Sequence, residues 1–65
     1  MTNNEREFIE VVKSSIEYRL EDLNWKNEDI GFWLDGIIYG LDDDYSNEFF
    51  NELYSLRNYY LGIED

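Results

Sequence analysis

The stretch from Ile30 to Leu41 places Ile30, Trp33, Leu34, Ile37, Ile38 and Leu41 at i, i+3, i+4, i+7, i+8 and i+11. That is the spacing of one helical face. The run is too short to span a bilayer, which takes about 20 apolar residues, and Asp35 interrupts it. It predicts a central core helix over 28–40, with the segments on either side closing over it.

Three glycines, Gly31, Gly36 and Gly40, sit against this reading, because an interior glycine costs about 1 kcal/mol relative to alanine. Gly36 either admits close approach of another helix or marks a kink or stop, which would leave 37–39 as a short extended piece. Gly40 is expected to cap the helix C-terminus. The Gly36-x-x-x-Gly40 spacing is read as packing in preference to a dimer motif, whose strong form belongs to membranes.

Upstream, Phe8, Ile9, Val12, Ile16, Leu20 and Leu23 form a second stripe, predicting a helix over 5–23 capped by Asn3 or Asn4. Arg6 with Glu10, Lys13 with Glu17 and Asp22 with Lys26 have i+4 spacing, worth about 0.2–0.5 kcal/mol for each pair that forms. The corner 24–27 contains Trp25, and Asn27 followed by Glu28 and Asp29 predicts the next N-cap. Downstream, Phe49, Phe50, Leu53, Leu56, Tyr60 and Leu61 predict a helix over 45–61, started by Asp44 or Ser46 and ended by Gly62. Short loops between three helices give antiparallel neighbours, and the expected fold is an all-α, small three-helix bundle in a single acidic domain over 1–65.

Sixty-five residues allow one small core and no deep cleft. With no cysteine there is no disulfide framework, so oligomerisation or docking on a partner is an expected source of further stability. The absence of cysteine, and of a basic segment followed by an apolar stretch at the N-terminus, fits a cytoplasmic protein.

The net charge of −11 is unevenly distributed. Residues 1–26 hold six acids and four bases, a balance of −2, whereas residues 27–65 hold ten acids and only Arg57, a balance of −9. Such a surface repels nucleic acid and anionic lipid and is drawn to basic surfaces.

Histidine and cysteine are both absent, which removes nucleophilic dyads, triads and imidazole or thiolate metal sites together. Paired carboxylates need a cleft to act across, and a bundle this small offers little. Laid on a calcium-binding loop that starts at Asp42, the sequence puts Asn47 where glycine is needed and Leu53 where glutamate is needed. No enzyme, cofactor or metal is expected.

What remains is a conjunction of acids and tyrosines. Asp35, Asp42, Asp43, Asp44, Glu48 and Glu52, with Tyr45 and Tyr59 interleaved, are expected to form a negative ridge along the second and third helices. Tyrosine supplies contact area and a hydroxyl at low entropic cost, and carboxylates on rigid helices can imitate a line of phosphates. The expected function is a non-enzymatic inhibitor, a DNA mimic that occupies the basic groove of a nuclease, CRISPR effector, repair enzyme or transcription factor. Usage rich in Asn, Ile, Tyr, Asp and Glu suggests an AT-rich phage or mobile-element source. The alternative is a small helical interaction or regulatory module that homodimerises, with acidity serving solubility. Neither reading involves direct nucleic-acid or membrane contact.

Overall fold

The computed structural model describes residues 1–63 of the chain. It contains three helices, α1 (Asn3–Glu21), α2 (Asn27–Tyr39) and α3 (Asn47–Leu61), and no strand among the described residues. The chain is a three-helix bundle. Among the described residues no helix is long and apolar enough to cross a membrane. Of the tail after Gly62, residues 64 and 65 lie outside the described residues.

Each helix starts where a local acceptor can satisfy its first backbone donors. For α1 the cap is Thr2, not Asn3 or Asn4: its hydroxyl accepts the Glu5 N–H at 3.1 Å, and the Glu5 carboxylate accepts the Thr2 N–H at 2.8 Å. This is a capping box, in which two orphan donors are satisfied reciprocally. The N-cap position of α2 is Lys26 and not Asn27, and the Asp29 carboxylate accepts the Lys26 N–H at 3.0 Å. Ser46 caps α3 by accepting the Phe49 N–H at 3.2 Å.

The C-termini are more varied. α1 ends at Glu21, two residues before the expected stop, and the chain turns at Asn24, whose φ of 57° is left-handed. Asparagine tolerates that region better than most residues. Leu23, expected on the inner stripe, falls beyond the helix and is exposed. Gly62 caps α3 in the left-handed region at φ 73°, as its residue type predicts. Gly40 follows α2 but keeps right-handed φ and ψ of −85° and −6°, so its conformational freedom is unused.

The core is Ile9, Val12 and Ile16 from α1, Ile30, Leu34 and Ile38 from α2, and Phe49 and Leu53 from α3. All eight lie on the predicted stripes. Trp33, expected in the core, is half-buried and packs against it together with Trp25, Leu41 and Leu56. α2 and α3 make the closest pair, with α1 packed on both at longer backbone separation.

Gly31 explains that close pairing. A Cβ there would collide with the Cγ and Cδ2 atoms of Leu61 and would come within 3.4 Å of the Leu61 backbone nitrogen. Gly36 instead lies within α2 with nothing within 4 Å of its Cβ position, so neither a stop nor a close internal contact accounts for it. The two glycines should therefore respond oppositely to alanine in urea melts. Gly31→Ala is expected to destabilise by about 1–3 kcal/mol as α3 is forced outward, and Gly36→Ala to stabilise by about 0.5–1 kcal/mol. A loss of stability in Gly36→Ala would mean that α2 is bent at this point.

Candidate protein-binding surface

The acidic loop between α2 and α3 is fastened at both ends. At its start, Leu41 is half-buried against the core and its N–H donates to the Ile38 carbonyl at 3.2 Å. At its end, Tyr45 stacks on Phe49 with ring centroids 4.8 Å apart and meets the Phe50 ring edge-on at 6.2 Å. Ser46 donates its N–H to one oxygen of the Glu5 carboxylate at 2.8 Å and its hydroxyl to the other at 3.1 Å. Between these anchors Asp42, Asp43 and Asp44 are exposed and have no ion-pair partner among the described residues.

Glu5 thus couples the starts of α1 and α3. It is only 5% exposed, the one buried charged side chain among the described residues. The Ser46 and Thr2 backbone N–H groups hold its carboxyl below the ordinary carboxylate range, against the opposing effect of burial. The Thr2-x-x-Glu5 pattern announces the capping box, but no local signal announces a serine 41 residues away.

The remaining acids do not form one continuous ridge. Glu48 is strongly exposed with the Met1 ammonium 3.4 Å away, and Glu52 lies 3.9 Å from Lys13 Nζ on α1. Asp35 is held on the α2 side, where it accepts from Arg57 Nη1 at 2.9 Å. Arg57 also donates through Nε and Nη2 to Asn58 Oδ1 and lies over the Tyr54 ring. Positions 52 and 57 are separated by roughly 140° around α3. Glu48, Glu52 and Tyr59 therefore share the flank toward α1, while Asp35 belongs to the other flank. The three i+4 pairs expected on and after α1 are not among the ion pairs of the described residues, and Lys13 reaches across to Glu52 in place of Glu17.

Tyr59 is 72% exposed and stands perpendicular to Tyr60, with ring centroids 5.0 Å apart. Burial pushes the Tyr60 hydroxyl pKa up, and Tyr59 and Glu17 add to the shift. Tyr60 is therefore a neutral hydroxyl supporting an exposed neighbour. Among the described residues no group of three metal-ligating side chains converges on a point that could hold an ion.

A second cluster lies at the α1–α2 corner. The Arg19 guanidinium carbon is 4.2 Å from the Trp33 ring centroid and 5.2 Å from that of Trp25. Its Nη1 donates to the Ser15 carbonyl at 3.3 Å, while Nε is buried without a hydrogen-bond partner. Beside this stack is an open groove of about 560 Å³ lined by Trp25, Asp29, Phe32 and Trp33. Phe32 is 66% exposed. Comparison of the chain with protein-family models, curated proteins and solved structures finds no match.

Proposed function

We propose that this chain is a non-enzymatic inhibitor that imitates DNA and occupies the basic groove of a nucleic-acid-binding protein, as phage or mobile-element proteins aimed at a nuclease, CRISPR effector, repair enzyme or transcription factor do. The observation that carries the reading is the loop of Asp42, Asp43 and Asp44, three successive carboxylates with no ion-pair partner among the described residues, on a segment fastened at both ends. Anchoring matters because a preorganised acidic face loses little entropy on meeting arginines, and bidentate arginine–carboxylate contacts add direction to long-range attraction. Glu48 and Tyr59 extend the contact along α3. Their flank is open to a partner because the Met1 and Lys13 contacts are surface ion pairs, which contribute little. Asp35 contributes to the field from the α2 side, its charge reduced by Arg57.

The test is capture by the immobilised protein from a lysate of host cells, followed by competition with duplex DNA. The captured protein should be released by duplex DNA. It should bind at least tenfold more weakly when salt is raised from about 0.05 M to about 0.5 M. Neutralising the loop with Asp42→Asn, Asp43→Asn and Asp44→Asn should have a similar effect. A captured protein that duplex DNA fails to displace would count against mimicry.

The exposed Val11 and Phe32 side chains favour a second reading, a helical interaction module that homodimerises. A sedimenting dimer that persists or tightens at high salt would support that reading instead.

A further inference from the structure

We infer that the groove lined by Trp25, Asp29, Phe32 and Trp33 receives a cationic side chain, arginine or lysine, from the basic partner. This inference rests on the proposed function and gives that interface an anchor away from the acidic loop.

Three aromatic rings and a single carboxylate line the groove, and no basic side chain does. Ring faces attract a guanidinium or ammonium through their quadrupole, most strongly for tryptophan, and a carboxylate at the rim adds direct attraction. Asp29 is held for that role: one oxygen accepts the Lys26 N–H at 3.0 Å at the start of α2, and the other has no partner among the described residues. Phe32 is neither part of the core nor packed on it, although it is the most exposed phenylalanine described. Set beside the two tryptophans and the carboxylate, it forms an exposed wall of the groove.

The same rings already take a guanidinium, since Arg19 lies over both tryptophans without lining the groove. Its charge opposes a second cation, and Asp29 with the neighbouring Glu28 offsets that opposition. One turn along α2, Gly36 leaves the helix backbone uncovered on its exposed side, where no internal contact requires a glycine. A partner main chain can therefore run close along α2 with one side chain seated in the groove.

Charge decides between occupants. Two copies meeting through the groove end of α2 would bring Glu28 and Asp29 of each against the other, with −11 on both molecules. A basic partner turns the same groups into attraction.

Both tryptophans of the chain line the groove, so the site reports on itself. The experiment titrates the full chain with short peptides alternating arginine or lysine with glycine, and with a control carrying citrulline, the uncharged isostere of arginine. Tryptophan fluorescence, the two indole N–H resonances and the backbone amide resonances are read at low salt. The arginine or lysine peptide, or both, should shift both indole signals, and the citrulline peptide should leave them unmoved. Phe32→Ala and Asp29→Asn should each weaken binding about five- to thirtyfold, the range of a cation–π or charged contact that is partly to fully desolvated. Asparagine still accepts the Lys26 N–H, so the helix start is retained, and a thermal melt checks this. Shifts confined to residues 42–44 with silent indoles would overturn the anchor while leaving the acidic-loop reading intact. No binding by either cationic peptide would overturn both. A citrulline peptide as effective as arginine, or a dimer that closes the groove, would overturn the anchor.

Discussion

Replacing Phe49 with alanine is expected to cost the fold from about a third to all of its stability. Phe49 has no exposed surface, and its ring meets Phe8 at 5.4 Å, Tyr45 at 4.8 Å and Phe50 at 5.8 Å. Phenylalanine-to-alanine changes in a core cost about 3–5 kcal/mol, because the lost transfer energy is joined by a cavity that the surroundings fill only in part. A domain of this length has roughly 3–10 kcal/mol in total, with no disulfide to supplement it. The substitution therefore removes a third or more of the stability. Urea melts followed by far-ultraviolet circular dichroism should show the loss, whereas Val11→Ala, at a position 63% exposed, should stay within about 0.5 kcal/mol of the parent. Equal midpoints for the two variants would mean that the aromatic cluster is not the core. Tyr45 rests on Phe49 at the end of the acidic loop, so the gentler Phe49→Leu should loosen that loop before it unfolds the bundle.

Helical periodicity made the inward faces legible, because burial against a single core repeats every three to four residues whatever the partner helix is. All eight buried hydrophobics follow from that rule. Periodicity does not reveal which neighbour a given flank meets. Lys13 has a suitable local acid in Glu17, yet it reaches Glu52, since the rotation of α1 against α3 is set by core shape and not by spacing within α1. The same ignorance of rotation merged Asp35 with Glu48 and Glu52 into one ridge, although Arg57 holds Asp35 on the far flank. Leu23 was misplaced because hydrophobicity extends the stripe by one position, whereas the turn at Asn24 ends the helix before it. The groove beside α2 was invisible for a related reason: Trp25 and Phe32 look like ordinary members of a corner and a helix until the corner folds back on Trp33.

Acidification should weaken the fold through one residue in particular, and Glu5→Gln should remove most of that sensitivity. The Glu5 carboxylate accepts from Thr2 N–H and the Ser46 hydroxyl on one oxygen, and from Ser46 N–H on the other. All three donors need an ionised acceptor with two free oxygens. Glutamine offers one oxygen and points an NH2 group at a donor, and a protonated glutamate does the same with its hydroxyl. Because the folded carboxyl pKa lies below the ordinary value of 4.5, its contribution is fully present above that value and is lost as pH falls through the folded pKa. Self-repulsion behaves oppositely, since a net charge of −11 at neutral pH fades on approach to the isoelectric point near 4.1. Stability should therefore hold or rise slightly on mild acidification and then fall as pH drops below about 4.5 and through the folded Glu5 pKa, where the net charge passes through zero near 4.1 and no further repulsion is left to relieve. Thermal melts of parent and Glu5→Gln from about pH 6 to about pH 3 should show a gap in Tm that is wide at the upper end and closes at the lower. Exposed Glu7, substituted the same way, should open no such gap. A gap between parent and Glu5→Gln that keeps its width down to the lowest pH would show that the side chain acts by shape and not by charge, and would remove Glu5 as the electrostatic tie between the acidic loop and α1.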